Sequence, residues 1–306
     1  MLESEVADNL KNLIGQYEPM AFTHFRAPYA FMGYQCPLDE SKVAILQAPY
    51  DGTTSYMAGT RYAPHAIITA SRQVEFFDRE LNRDVAEALG LHTFDEIEPD
   101  MGSAEKTVKR VEEMAEEVIE EDKFPILFGG EHSVSVGMVA ALSKKHKDLS
   151  VLQIDAHADL REEYEGTKYN HACAMRRIRE YVKCASQVGI RSVCREELEY
   201  IKKARLENHI HYAPEFDIDK VLSQLSDNVY VSIDLDGFDP SECPGVGTPE
   251  PGGLKWLQVL KLLRAVSKKK KIVGFDIVEL LPIPGSVQSE FFCAKLAYKL
   301  LGYSFF

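Results

Sequence analysis

No two cysteines of this chain form a C-x-x-C pair: Cys36, Cys173, Cys184, Cys194, Cys243 and Cys293 are scattered without a framework. That spacing argues against structural zinc and a disulfide scaffold, and for reduced thiols in a reducing compartment. Also missing are an apolar run of about twenty residues and a charged-then-apolar N-terminal leader, so neither membrane insertion nor secretion is indicated and a cytoplasmic protein is expected. Basic residues are in deficit, 35 Lys and Arg against 48 Asp and Glu, for a formal net charge of -13. Nucleic acid is a poor partner for such a chain, whereas a cationic substrate or a metal ion would be drawn in. The one basic block, Lys268 to Lys271, closes a helical segment and complements its dipole. There is no Ser-, Gly- or Pro-rich linker and no internal repeat. Residues 1–306 are therefore expected to form a single domain, with residues 1–40 as a peripheral, aromatic-rich arm that contains a short helix from Glu5 to Ile14 and a packed His24.

What is present is a repeated device. VLQIDAHAD, from Val151 to Asp159, begins as a short β-prone run and then sets Asp155, His157 and Asp159 at i, i+2 and i+4. In an extended chain that spacing turns all three side chains the same way. Carboxylates so close raise one another's pKa strongly unless a cation lies between them, so the stretch reads as a metal site. The pattern returns: FPILFGGEHS ends in Glu131 and His132, VYVSIDLDGFDP carries Asp234 and Asp236, and KIVGFDIVEL ends in Asp276 and Glu279.

Strands are predicted over 42–48, 124–128, 149–154, 187–190, 209–212, 229–233 and 272–275. Between them lie helices from Pro64 to about Asp78, from a Ser103 cap to about Glu121, from Ser133 to about His146 and over 173–181. Further helices begin near Arg195, Asp217 and Leu254, and the last runs from Gln288 to Leu300. Strand and helix in alternation predict an α/β fold with a largely parallel sheet covered on both faces, whose ligands bind at the C-terminal strand ends.

The strand-end residues collect into two imidazoles and four carboxylates: His132, Asp155, His157, Asp159, Asp234 and Asp236. One divalent ion cannot balance four Asp; two can. An oxygen-rich set with two histidines and no thiolate favours manganese, with nickel, cobalt, iron or zinc also open.

These motifs closely resemble the ureohydrolase family, which includes arginase and agmatinase. The resemblance rests on GGEHS at Gly129 to Ser133, DAHAD at Asp155 to Asp159 and NHACAMRR at Asn170 to Arg177. It continues through SIDLDGFDP at Ser232 to Pro240, GTPEPGG at Gly247 to Gly253, and DIVEL at Asp276 to Leu280. It implies a three-layer α/β/α fold around an eight-stranded parallel sheet, assembled as a trimer or hexamer. It further implies two Mn²⁺ per subunit: His132 and Asp159 on one, His157 and Asp236 on the other, Asp155 and Asp234 bridging. His171 is implied as the proton-shuttling histidine and Glu279 as the carboxylate that holds the guanidinium. Three departures from the common pattern, Glu131, Cys243 and the LLPIPG that follows Glu279, remove no ligand.

The chemistry is consistent with those roles. A guanidinium resists free water, and a divalent ion lowers the pKa of bound water to roughly 7–9, supplying a metal-bridging hydroxide at neutral pH. Asp159 can take the hydroxide proton and return it to the leaving amine, while Glu279 orients the planar cation. After the metal motif comes LREEYEGTKYN, whose Glu162, Glu163 and Glu165 suit a cationic tail and repel a carboxylate. Glu163 is the expected tail contact, beside Glu279 and His171. Agmatine hydrolysis to putrescine and urea is expected, placing the protein in polyamine biosynthesis. N1-aminopropylagmatine is the near alternative; arginase, guanidinobutyrase and formiminoglutamase are others, the last two distinguished by a Lys or Arg for an anionic tail. Cys173 as a nucleophile paired with His171 fits poorly, since i and i+2 face apart on a helix. A metal-free binding protein would have nothing to hold four carboxylates together.

Overall fold

A computed structural model describes residues 29–306. The expected helix from Glu5 to Ile14, and His24, lie outside the described residues. Eight strands form one sheet: β1 (Val43–Ala48), β4 (Leu91–Glu96), β5 (Phe124–Gly129), β6 (Ser150–Ile154), β7 (Cys184–Ile190), β8 (Ile210–Tyr212), β9 (Asn228–Asp234) and β10 (Lys271–Val278). The remaining two, β2 (Phe77–Asp78) and β3 (Arg83–Asp84), make a separate two-residue ribbon. The order across the sheet is β4-β1-β5-β10-β9-β6-β7-β8, with every pair parallel.

Alternation along the strands explains the layers. Val43 and Ile45 enter one core with the helices Ala63–Ser71, Trp256–Lys269 and Gln288–Phe305; Ala44 and Leu46 enter the other with Ala104–Glu120 and Ser135–Lys145. Successive strand residues face opposite sides, so a strand buried on both faces is apolar at consecutive positions, as β1 is from Val43 to Leu46. The result is the three-layer α/β/α arrangement. Helix Ala104–Glu120 starts where expected, with Ser103 Oγ accepting from Lys106 N at 3.3 Å, a cap that contributes about 1 kcal/mol.

Several boundaries differ from the sequence expectation. The helix from Pro64 stops at Ser71 rather than Asp78, because the chain turns there to start the ribbon. Residues 85–96, for which neither a strand nor a helix is predicted, divide into a short helix, Val85–Leu89, and edge strand β4. β10 continues three residues beyond Phe275. Of the expected N-terminal arm, Ala30, Phe31 and Met32 are buried against the body. Phe31 packs on Phe128 with ring centroids 5.2 Å apart, and the Met32 amide donates to Ser71 Oγ. No described helix is long and apolar enough to cross a membrane.

Candidate metal centre and substrate cleft

The four strands whose ends carry the chemistry, β5, β10, β9 and β6, are far apart in sequence but are neighbours in the middle of the sheet. Register then levels their ends. Ile154 pairs with Ile233, so Asp155 and Asp234 leave adjacent strands side by side; Asp234 pairs with Val278, which puts Glu279 one step further on. At the end of β5 the two glycines allow the chain to pass under the loop after β1. A Cβ on Gly130 would sit 1.9 Å from the Tyr50 carbonyl oxygen.

Among the described residues, two donor groups have the spacing of a metal site: His132, Asp155 and Asp234, and Asp155, His157 and Asp236. Asp155 belongs to both. Asp159 joins the first, with Oδ2 3.1 Å from His132 Nδ1, and His157 Nδ1 lies 2.8 Å from Asp236 Oδ2. All six predicted donors thus come together. β6 ends at Ile154 as expected, and the convergence is made just beyond it, where His157 forms an isolated bridge with Ser192. Asp159 (φ 52°) and Glu279 (φ 64°) both sit in the left-handed region, a backbone cost typical of functional positions and met by the surrounding structure.

The donors fit divalent ions on a direct observation. His132 Nδ1 is buried and lies 3.1, 3.1 and 3.3 Å from oxygens of Asp155, Asp159 and Asp234, yet it makes no directed hydrogen bond to any of them. A lone pair aimed among three carboxylate oxygens suits a shared cation. The other ring nitrogen is occupied: Nε2 is 2.9 Å from Ser232 Oγ, which donates to Asp276 Oδ1 at 2.8 Å. This chain orients the ring from behind, as partners of metal-bound histidines do. Asp276 is therefore a support rather than a member of the cluster.

Without a cation the crowding appears in the acidities. Burial, then the charge of Asp155, pushes Asp159 up to about 7. Burial followed by Asp236 and Asp155 raises Asp234 well above the carboxylate range. Burial favours a neutral His132, but the three carboxylates outweigh it and raise its pKa. Each shift is what two divalent charges would relieve.

Above the cluster opens a cleft of about 330 Å³. Its lining includes His132, His157, Asp159, Asp234, Asp236, His171 and Glu279 from the predicted set. Glu279 Oε1 accepts from the His132 amide at 2.7 Å, and burial and then Glu131 raise its pKa. His171 begins a single helical turn whose ring lies over the cleft; burial first, then the charges of His157 and His132, bring it down to about 4. Cys173 is buried, and burial lifts its thiol to about 12, which removes it as a nucleophile.

Glu163 is not brought to the site. It is exposed and outside the lining, because the Tyr164–Thr167 turn, with positive φ at Glu165 and Gly166, folds the acidic loop back on itself. Arg161 and Tyr164 face the cleft instead. Glu162 is held by Arg176 at 2.7 Å and by Arg177 and Lys168 at 3.3 Å, and Glu165 lines a neighbouring hollow. Sequence reading missed Glu197, Ser55 and Thr248 in the lining. Glu197 had a usable signal: it is the fourth residue of a capping box that starts at Cys194, with Cys in place of the usual Ser or Thr.

The Arginase family profile matches residues 41–302. The chain is 38% identical over 276 residues to the N(1)-aminopropylagmatine ureohydrolase of a Synechocystis species, covering 86% of this chain and 89% of that one. It is 36% identical over 272 residues to the agmatinase of Pyrococcus horikoshii, with 87% and 93% covered. Among solved structures, the agmatine ureohydrolase of Thermoplasma volcanium has a TM-score of 0.80 at 33% identity over 93% of this chain and 95% of that one. The motifs, the topology and these likenesses agree: the chain belongs to the arginase family of ureohydrolases.

Proposed function

We propose that the protein hydrolyses the guanidinium of agmatine to urea and putrescine, using two Mn²⁺ ions. The observation that carries this reading is the unpaired His132 Nδ1 within a six-donor cluster, beside a Glu279 that has no Lys or Arg partner among the described residues. In this reading His132, Asp159, Asp155 and Asp234 hold one ion, and Asp155, Asp234, His157 and Asp236 the other. The ions supply a nucleophile from water at neutral pH by lowering its pKa.

The chain's own residues do the rest. Glu279 receives the planar cation through charge-assisted hydrogen bonds and fixes its carbon over the cluster. Asp159 takes up a proton and returns it to the departing amine. His171 is neutral at physiological pH and relays a proton at Nε2.

The tail contact moves from Glu163 to Glu197, which lines the cleft and whose carboxylate, though it accepts from the Leu160 and Cys194 amides, keeps lone pairs for an ammonium. N1-aminopropylagmatine is a second reading, supported by the Synechocystis relative's name and identity. Arg161, over the Tyr164 ring at 4.4 Å, is the one Lys or Arg in the lining among the described residues and is what a carboxylate tail would meet. The reading includes one domain over residues 1–306, a cytoplasmic homotrimer or homohexamer, and a place in putrescine synthesis.

The test is urea release by Mn²⁺-loaded protein on agmatine, N1-aminopropylagmatine, arginine and guanidinobutyrate under matched conditions. Preference for the two cationic-tail substrates supports the proposal; a higher kcat/KM on arginine or guanidinobutyrate refutes it.

A further inference from the structure

Glu131 is fully buried and does not line the cleft, yet three hydrogens converge on its carboxylate. The Thr53 amide donates to Oε2 at 2.6 Å, and Thr53 Oγ1 and Ser133 Oγ donate to Oε1 at 2.6 and 2.5 Å. The loop after β1 is thereby joined to the end of β5, a joint also made by the Glu131 amide on the Tyr50 carbonyl at 2.8 Å. Thr53 has one hydroxyl hydrogen, and the ionised Glu131 carboxylate, whose pKa burial pushes up to about 7, takes it. Towards everything else Thr53 Oγ1 offers only lone pairs.

What it faces is His171. The His171 amide donates to Thr53 Oγ1 at 3.0 Å, and the ring's Nδ1 lies 3.4 Å from the same oxygen. A ring nitrogen against an oxygen that can only accept must carry the hydrogen, so Nε2 keeps the lone pair. Nε2 lies 3.4 Å from Ser55 Oγ, a cleft-lining hydroxyl free to donate. We propose that Thr53, oriented by Glu131, is a positioning residue that holds His171 as its Nδ1–H tautomer with the basic nitrogen turned into the cleft. This rests on the proposed guanidine hydrolysis for its kinetic consequence, but not for its tautomer.

The test is a double-mutant cycle on Mn²⁺-loaded protein: Thr53→Val, Thr53→Ser, His171→Asn and Thr53→Val with His171→Asn. Thr53→Val should lower kcat on the wild type's preferred guanidine by about ten- to hundredfold, with KM and metal content unchanged. Thr53→Ser should recover most of it, and in the His171→Asn background Thr53→Val should change kcat by less than about twofold. Wild-type kcat in Thr53→Val, loss of metal from it, or the same loss without His171 would overturn the proposal. In parallel, ¹⁵N-histidine spectra of Mg²⁺-loaded protein should give the Nδ1–H pattern for His171 in the wild type and Thr53→Ser and a tautomer mixture in Thr53→Val. An Nε2–H pattern in the wild type would also overturn it. Wild-type silence on every guanidine, with the Nδ1–H pattern present, would count against the proposed substrate and not against this positioning role.

Discussion

Replacing Ser232 by Ala tests whether the centre depends on the residues behind it. Ser232 is fully buried, and its Oγ is the only link between His132 Nε2 and Asp276 among the described residues. After truncation Asp276 keeps two donors, the Ile233 amide at 3.2 Å and Tyr230 OH at 2.7 Å. The deficit therefore falls on the His132 N–H, which is left buried and unpaired at a cost of about 1–3 kcal/mol. The ring can recover by rotating, which takes Nδ1 off the carboxylate oxygens, or by changing tautomer, which puts the hydrogen on Nδ1 and removes the lone pair a cation would use. Supporting residues of this kind typically change metal affinity by about 10- to 100-fold, or about 1.4–2.7 kcal/mol. Chelator-stripped wild type and variant should be titrated calorimetrically with Mn²⁺, and urea unfolding run with and without the metal. The variant should bind more weakly by that factor, and Mn²⁺ should stabilise it correspondingly less. Tyr230→Phe, which leaves the Ser232 link intact, should fall between wild type and Ser232→Ala. Wild-type Mn²⁺ affinity in Ser232→Ala would refute the argument that His132 is oriented from behind.

Glu279→Gln keeps the shape of the side chain but removes its charge, and kcat/KM for agmatine should drop by about a hundredfold or more as the substrate loses its orientation; steady-state kinetics at constant metal content measure it. Glu197→Gln should raise KM for agmatine by about tenfold, the scale of one charged hydrogen bond, while Glu163→Gln should leave the kinetics alone; the reverse order would restore the acidic loop as the tail site. Metal-free protein should lose stability as pH rises from about 4 to about 7. In that window the raised Asp159 and Asp234 keep protons in the folded chain that the unfolded chain has released, so the slope is negative. Unfolding at several pH values should show this, with Mn²⁺ removing or inverting the slope; a metal-free protein that gains stability across that range would contradict it.

Much of the scaffold was legible because it obeys local rules. β1, β5, β6 and β9 are short β-prone runs buried on both faces, and a strand in that setting has to be apolar at consecutive positions. Helix Ala104–Glu120 announced itself through a capping serine and a face of Val108, Val111, Ala115 and Val118. The least legible parts were short elements whose form depends on partners elsewhere. The helix from Pro64 ends at Ser71, whose hydroxyl receives the Met32 amide from a segment expected to be peripheral. Glu163 lies away from the cleft because charge alone does not say which way a loop carries its side chains; the turn decides that, and positive φ at Glu165 and Gly166 is a property of the turn.

By itself the sequence named the six candidate donors that the fold brings together, because residues two apart at the ends of apolar strands carry their chemistry on a short leash. It also determined that the sheet is parallel with both faces covered, and that the electrostatics favour cations. Only the tertiary structure decided that β5, β10, β9 and β6 stand side by side, since strand order is set by crossovers rather than by any local signal. It alone turned Arg161 and Glu197, and not Glu163, towards the cleft. And it alone placed Thr53 between Glu131 and His171, contacts that span 78 and 118 residues of chain and that only packing in three dimensions can bring to hydrogen-bonding distance.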